Sequence, residues 1–336
     1  MQYRILGKTG LKVSVIGFGG IAIQRGSKEQ AKGAIVKAEE LGINFIDTAR
    51  GYTVSEEYIG AALEGRRHKW IIATKSMARD KESMAKDMDI SHKNLRTDYI
   101  DLYQIHNIRN QAELDKVMGI GGAYEALQEA QSKGKIGYIG ISAHSLDMLE
   151  LALETGKFAS VMYSYNIIEN QGEEAFRKAK ELNIGVIAMK PIAGGSINDA
   201  KLALKYILQN DGVTTAIPGM GDIKEVEENA VVAANTARLT KEELTKIEMI
   251  ISQLGNQFCR RCGYCTPCPE GIDIPTIFLL SGYKERYNLA KWSEERYKSQ
   301  PARAIHCTEC GSCETKCPYN LPIKEMLKSV RQVFSE

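Results

Sequence analysis

Four side chains with acid–base chemistry stand at or near the ends of three apolar runs in the first third of the chain. Asp47 ends the first run, and Tyr52 follows it after five residues; Lys75 and His106 end the next two. A phenol with a pKa of about 10 is a poor acid at neutral pH, but a neighbouring ammonium lowers that pKa. A carboxylate would hold the ammonium charged, and a histidine could orient a substrate oxygen. The four residues therefore predict an acid–base site, provided that the fold brings these run ends together.

The apolar runs read as buried parallel strands, and helical periodicity fills the intervals between them. The candidate strands are residues 15–18, 44–47, 70–75, 99–106, 136–142, 160–163, 185–189 and 214–218. Eight such alternations predict an α/β fold, a (β/α)8 TIM barrel, in which all strand ends lie on one face. An open doubly wound sheet is the rival, but Gly17-Phe-Gly-Gly20 lacks the glycine spacing that its first turn requires.

The order of these four residues resembles the catalytic tetrad of the aldo-keto reductase family. Residues 3–14 are similar to that family's opening hairpin, and the resemblance covers about residues 1–254. It implies an NAD(P)H-dependent oxidoreductase that reduces a carbonyl substrate, an aldehyde or ketone, to an alcohol. In that reaction Tyr52 would act as the general acid. Lys75 would lower its pKa, Asp47 would anchor Lys75, and His106 would orient the carbonyl oxygen.

The resemblance also implies a dinucleotide, NADP or NAD, extended across the mouth of the barrel. Gly19 and Gly20 would let the backbone approach the nicotinamide ribose, and Gly194-Gly195 would open a helix that binds the pyrophosphate. The full set of expected cofactor contacts is Gly19, Gly20, Asp47, Ser142, Lys190, Gly194, Gly195, Glu228 and Asn229.

Some positions depart from the family's cofactor pattern. Ala143, Met162 and Met189 stand where an asparagine, a glutamine and an aromatic residue are usual. Glu225 stands where a cation would bind the 2′-phosphate of NADP, and its carboxylate should repel that phosphate. Both NAD and NADP therefore stay open, with the neighbouring Lys224 as a cation that could reach the same region.

All eight cysteines of the chain follow residue 258, in two motifs. The second motif has the spacing C-x2-C-x2-C-x3-C-P of bacterial ferredoxins, whose fourth cysteine binds the other cluster of a pair. That resemblance implies two [4Fe–4S] clusters. The ligand sets would be Cys259, Cys262, Cys265 and Cys317 for one, and Cys307, Cys310, Cys313 and Cys268 for the other. The first motif has one residue fewer before Cys268, which leaves the assignment of that ligand open. Two zinc ribbons are the alternative, but they have no use for this spacing.

These patterns predict two domains, a barrel at residues 1–254 and a small α-rich ferredoxin-like domain with docking helices at residues 258–336. A net charge of +2 gives no support for binding to nucleic acid or a membrane surface, and no apolar run is long enough to span a bilayer. The amino-terminal residues lead directly into the hairpin without a signal-peptide pattern, so a cytoplasmic location is expected.

Two other functions compete with carbonyl reduction: an iron–sulfur electron carrier that docks to a redox partner protein, and a module that senses the cofactor. The intact tetrad argues against a pure sensor. A nicotinamide transfers two electrons together whereas a cluster transfers one. The clusters could therefore be structural, act on the substrate, or connect to an external donor. The sequence identifies neither the substrate nor the oligomeric state.

Overall fold

The structure is a computed structural model that describes residues 1–234 and 237–336. The chain begins with an antiparallel hairpin of β1 (Tyr3–Ile5) and β2 (Lys12–Ser14). Its turn lies against the start of a later strand, because the Lys8 amide donates to the carbonyl of Asn183 at 2.6 Å. A Cβ on Gly7 would lie 2.3 Å from the amide nitrogen of Gly185. The hairpin therefore closes over the amino ends of the strands that follow.

Eight parallel strands come next, each paired with its neighbour in chain order. They are β3 (Phe18–Gly19), β4 (Phe45–Asp47), β5 (Ile71–Ser76), β6 (Ile100–Ile108), β7 (Ile136–Ala143), β8 (Ser160–Ser164), β9 (Gly185–Met189) and β10 (Thr215–Ile217). Two parallel bridges, Ile16 to Ala216 and Gly19 to Gly219, join the first strand region to the last. The expected barrel is confirmed, nearly closed, and the carboxyl ends of its strands share one face.

Within the described part of residues 1–238, nine α-helices accompany the strands. They are α1 (Lys28–Glu40), α2 (Ser55–Ala62), α3 (Lys81–Leu95), α4 (Gln111–Met118), α5 (Ala123–Ser132), α6 (Leu146–Glu154), α7 (Glu173–Glu181), α8 (Ala200–Leu208) and α9 (Ile223–Ala230). Short polar side chains set several starts: Ser27, Asp80 and Asn110 each accept a hydrogen bond from the backbone three residues on. These caps fix where each helix begins, and so fix the length of the loop that precedes it.

One helix start differs from the sequence pattern. A serine directly before two acidic residues, here Glu56 and Glu57, is typical of an N-cap, but the structure begins α2 at Ser55 and places Val54 at the cap. The Ser55 side chain is fully buried and donates to the carbonyl of Gly20 at 2.8 Å. It also lies 2.8 Å from the hydroxyl of Thr48. Ser55 thus ties α2 to the ends of β3 and β4 instead of capping its own helix.

The second compact unit comprises residues 167–169, 193–198 and 239–336. Its helices are α10 (Lys241–Leu254), α11 (Ile274–Glu285), α12 (Ala290–Lys298), α13 (Ser312–Thr315) and α14 (Ile323–Val333). A capping box of Thr240 and Glu243 begins α10. By spatial contacts α10 groups with the cysteine-rich segment, whereas the sequence-based boundary falls after it, between residues 254 and 258. Among the described residues, no helix combines the length and apolar character needed to span a bilayer.

Close packing between α2 and α3 gives a test of the fold near the site. A Cβ on Gly60 in α2 would lie 2.2 Å from the carbonyl oxygen of Asn94. Gly60→Ala should therefore destabilise the protein by about 1–3 kcal/mol through overpacking, and lower the midpoint of thermal unfolding followed by circular dichroism. Gly33→Ala is the matched control, because its Cβ would meet only one methyl group at 3.7 Å. The control should keep or raise the midpoint, since alanine favours a helix. Equal midpoints for the two variants would contradict this packing.

Candidate active site

A buried ion pair lies where β4 and β5 end. Lys75 is 1% exposed, and its Nζ lies 2.5 Å from Oδ1 of Asp47. The same ammonium donates to the carbonyl of Thr48 at 2.8 Å, and Gln104 Nε2 donates to Oδ2 of Asp47 at 3.2 Å. Burial raises the pKa of Asp47, while the charge of Lys75 and the amide of Gln104 oppose that rise. The pair therefore fixes one positive charge in a nearly water-free position.

The loop after β4 carries Tyr52 to this charge. The amides of Thr48 and Arg50 donate to the carbonyls of Ala73 and Lys75 at 2.9 and 3.0 Å, so the loop continues the strand pairing past Asp47. Lys75 Nζ lies 5.1 Å from the centroid of the Tyr52 ring. The loop position follows from β-sheet hydrogen bonding.

His106 lies on β6 with its ring edge-on to Tyr52, the centroids 6.3 Å apart. Burial lowers the pKa of His106 well below its ordinary value, and nearby positive charges, first that of Lys75 and then that of Arg79, add to the effect. Its Nδ1 is buried and has no hydrogen-bond partner among the described residues. A neutral imidazole therefore faces the phenol. The structure brings all four residues of the expected tetrad together, although their catalytic roles stay predictions.

A bulge holds the end of β6. The pairing of β6 with β7 shifts register between Ile105 and Ile108, and Asn107 there has a φ of +55°. The amide of Asn107 donates to Ser142 Oγ at 2.8 Å, while Arg79 Nη2 donates to the carbonyls of His106 and Asn107. Ser142 therefore accepts a backbone hydrogen bond and still has its hydroxyl proton to donate. Its expected contact with a cofactor stays a prediction.

Gly19 and Gly20 each have a packing reason to be glycine. A Cβ on Gly19 would lie 2.5 Å from the carbonyl oxygen of Pro218, where the barrel closes. A Cβ on Gly20 would lie 2.8 Å from the carbonyl oxygen of Asp47, and the amide of Gly20 donates to that same oxygen. Close packing against Pro218 at the barrel closure explains Gly19, and close packing against the end of β4 explains Gly20. Their expected approach to a cofactor stays a prediction.

The loop at Gly194 differs from the expectation that it opens a helix. Ala193–Gly195 is a short 3-10 turn, and α8 begins only at Ala200, capped by the carboxylate of Asp199. The φ angles of +65° at Gly194 and +81° at Gly195 are incompatible with a right-handed helix. Within the second unit, Arg286 Nε donates to the carbonyl of Gly194 at 3.1 Å. Lys190, before this turn, also has a positive φ, and its carbonyl accepts from Asn166 Nδ2 at 3.1 Å.

Two of the expected cofactor contacts, Glu228 and Asn229, lie on α9. Asn229 is buried, whereas the side chain of Glu228 is half exposed, 3.9 Å from Lys224 Nζ. Glu225 forms an ion pair with Arg25 and accepts from the amide of Gly221 at 2.6 Å. Its charge is therefore compensated, so the argument that Glu225 repels a 2′-phosphate loses its basis. Arg25 lies 200 positions away in the chain, so no local sequence pattern predicts this pair.

Sequence reasoning also missed a buried carboxylate under the Tyr52 loop. Glu56 is 1% exposed and accepts from Thr74 Oγ1 at 2.8 Å, Ser91 Oγ at 2.7 Å and Arg50 Nη1 at 2.6 Å. An acid in the first turn of a helix looks like ordinary dipole compensation, so its sequence position gave no sign of burial. Gln104 was also missed, although the alternation of a strand places it on the same face as His106.

The eight cysteines line two cavities in the second unit. The space that we call cavity 1 is lined by Cys259, Cys262, Cys265 and Cys317, and cavity 2 by Cys268, Cys307, Cys310 and Cys313. Each holds about 320 Å³ of space that is open in part to solvent. The groupings coincide with the expected crossed ligand sets, including the position of Cys268.

The donor sets fit polynuclear clusters. Four thiols around a cavity suit a [4Fe–4S] cluster, in which each iron takes one cysteine. Burial raises the pKa of Cys259 to about 11 and that of Cys265 to about 12. Metal binding at cavity 1 would therefore have to displace thiol protons.

Comparisons with known proteins agree with this architecture. The sequence model of the "Aldo/keto reductase family" matches residues 15–201 and 196–252, and that of a "4Fe-4S dicluster domain" matches residues 258–322. The chain belongs to the aldo/keto reductase family. It is thus an oxidoreductase of that family that carries a carboxyl-terminal 4Fe-4S domain.

Individual family members are distant relatives. The uncharacterized oxidoreductase YqkF of Bacillus subtilis is 28% identical over 74% of this chain and 96% of its own length. L-galactose dehydrogenase of Arabidopsis thaliana is 28% identical over 76% of this chain and 96% of its own. The solved structure of aldo-keto reductase AKR11C1 from Bacillus halodurans, in its holo form, aligns with a TM-score of 0.65 at 29% identity. That alignment covers 74% of this chain and 96% of the other.

The lowered pKa of His106 predicts a pH-dependent stability. Because the folded protein resists protonating His106, the unfolded chain binds that proton first as the pH falls below about 6.5. Stability should therefore be full above that pH and decrease below it, by less than about 1.4 kcal/mol per pH unit from this residue.

Denaturant titrations between pH 7.5 and 5.5 would measure this component. His106→Gln should lose less stability on acidification than the wild type, whereas His68→Gln, at an exposed position, should behave like the wild type. Equal losses in the wild type and His106→Gln would show that His106 titrates normally.

Proposed function

We propose that this protein is an NAD(P)H-dependent reductase of a small carbonyl substrate, with Tyr52 as the general acid and two [4Fe–4S] clusters in its second unit. The observation that carries the proposal is the buried ammonium of Lys75, held by Asp47 and lying 5.1 Å from the Tyr52 ring. A purely structural ion pair would have no need of a phenol and a neutral imidazole beside it.

The side chains divide the acid–base work among them. Tyr52 holds the proton that passes to the carbonyl oxygen, and the ammonium of Lys75 stabilises the phenolate that remains. Asp47 keeps Lys75 charged and in position. His106 stays neutral, so it can hydrogen-bond the substrate oxygen without competing with Tyr52 as a proton donor.

Other residues fit a bound dinucleotide. The Ser142 hydroxyl proton is available to a carboxamide oxygen, and Asn229 lies on α9 with the half-exposed Glu228. Lys190, Gly194 and Gly195 supply a cation and a left-handed turn as proposed phosphate contacts. A reduced nicotinamide bound there would supply the hydride for the carbonyl carbon, and Tyr52 would give its proton to the carbonyl oxygen, so that an alcohol forms. The compensated charge of Glu225 leaves both NAD and NADP as proposed cofactors.

An electron-carrier function is the second candidate, and cavity 2 favours it. Cys310 is exposed at that cavity, and a cluster near the surface can exchange electrons with a redox partner protein. The two functions are compatible, because carbonyl reduction uses the tetrad and electron exchange would use the second unit.

Replacing the phenol tests the proposed acid directly. Tyr52→Phe should lower kcat for any carbonyl that the wild type reduces by at least about 10²-fold, because it removes the general acid. Its affinity for NADH and NADPH, measured by fluorescence titration, should stay close to that of the wild type. Tyr58→Phe, a neighbouring phenol in α2, is the matched control and should keep wild-type turnover. Near-normal turnover of Tyr52→Phe would show that the proton comes from elsewhere.

Metal analysis tests the proposed clusters separately. Protein purified without oxygen should hold close to two [4Fe–4S] clusters per chain, measured as iron and acid-labile sulfide. Cys313→Ser should lose about half of that content, because Cys313 lines cavity 2 only, while circular dichroism shows the barrel still folded. Stoichiometric zinc without sulfide would contradict the proposal.

A further inference from the structure

The two cavities of the second unit differ in the charges at their walls. Arg260 lines cavity 1 and is only 9% exposed. Its Nε donates to the carbonyl of Ile168 at 3.2 Å and its Nη1 to that of Gly255 at 3.0 Å. Its guanidinium stacks on Tyr319, 3.9 Å from the ring centroid. All of these contacts are made to neutral groups.

Arg260 forms no ion pair with any residue that the structure describes. Its neighbour Arg261 differs, because Nη2 of Arg261 binds both carboxylate oxygens of the buried Glu169, at 2.8 and 3.0 Å. A buried charge without a counter-ion is costly. Arg260 therefore retains an uncompensated positive charge at the wall of cavity 1, which an anionic group inside the cavity would neutralise.

Among the residues that the structure describes, none of those lining cavity 2 is a buried cation without an ion-pair partner. Its charged lining residues are Glu270 and Lys324. Lys324 is paired with Glu314 at 3.3 Å, and Glu270 is exposed and accepts from Thr308 Oγ1 at 3.2 Å. The uncompensated charge at cavity 2 is thus a carboxylate, and solvent screens it.

We propose that Arg260 makes cavity 1 the electron-accepting end of the second unit, by raising the reduction potential of the cluster that it holds above that of cavity 2. The inference rests on the proposed clusters. Adding an electron to a cluster with four thiolate ligands adds one negative charge, which a nearby buried cation stabilises. Solvent access near Cys310 would also stabilise a negative charge added at cavity 2, and so would reduce the difference between the two reduction potentials. The charge of Arg260 prevails because it lies at the cavity wall and is little screened.

The arrangement also gives the added electron a direction. An external one-electron donor of low potential would deliver its electron near Cys310, the exposed thiol of cavity 2, and the electron would move to the higher potential proposed for cavity 1. In that transfer the donor would lose one electron and the group held by Cys259, Cys262, Cys265 and Cys317 would gain it, with no proton required. Arg260 acts only through its charge, which sets the reduction potential at cavity 1, and it has no catalytic role of its own.

The test is a potentiometric titration of the anaerobically purified full chain, with dithionite and mediator dyes, followed by electron paramagnetic resonance. Arg260→Gln should lower the higher of the two potentials by at least about 59 mV, a tenfold change in the one-electron equilibrium constant, and leave the lower one in place. Arg260→Lys should restore most of the difference, because it keeps the charge.

Arg296→Gln is the matched control. Arg296 stacks on Trp292 at 3.8 Å, much as Arg260 stacks on Tyr319, but lines neither cavity. Both of its potentials should stay at the wild-type values. If Arg260→Gln moves neither potential, or only the lower one, the inference is wrong.

A second variant decides the matter if Arg260→Gln loses its iron. Cys310→Ser alters cavity 2 at an exposed position and should shift or remove only the lower potential. A change in the higher potential instead would overturn the inference. Protein with neither iron nor sulfide would contradict the proposed clusters. Protein that holds clusters whose reduction potentials do not change in Arg260→Gln would contradict only the role of Arg260.

Discussion

The buried pair of Asp47 and Lys75 is the constraint on which the candidate active site depends. Removing two charges from water is expensive, and their attraction repays the cost only if the remaining hydrogen-bonding groups are satisfied. Here the carbonyl of Thr48 and the amide of Gln104 supply those bonds. The pair therefore requires the ends of β4, β5 and β6 to keep one register. A one-residue slip of a strand would turn a charged side chain away from its partner.

The loop that carries Tyr52 is also held in a fixed position next to the buried pair. Its backbone continues the pairing with β5, and Arg50 from this loop reaches the buried carboxylate of Glu56. Glu56 in turn accepts from Thr74 on β5 and Ser91 on α3. A loop anchored by backbone pairing and by a buried ion pair loses little further freedom when it holds a substrate, which is the preorganisation that a general acid needs.

Features with a period or a fixed spacing were predictable from the sequence. Apolar runs located the strands, and the residues at their ends located the tetrad, because parallel strands in a barrel share one face. The cysteine spacing likewise anticipated which thiols line each cavity. Features that depend on distant partners were not predictable. Ser55 looks like a cap until Gly20 is seen beside it, and Glu225 looks like an unpaired acid until Arg25 is seen. The turn at Gly194 was misread because glycines before a helical pattern do not reveal the sign of φ.

The crossed cysteine sets also have a consequence for how the chain is made. Cavity 1 takes three thiols from the first motif and its fourth from Cys317, while cavity 2 takes Cys268 early and the rest from Cys307, Cys310 and Cys313. During synthesis neither cavity has its full set until the second motif has left the ribosome. Iron delivered earlier would meet an incomplete set of thiols, open to oxidation and to other metals. The proposed clusters could therefore be completed only late, after the barrel segment has been synthesised.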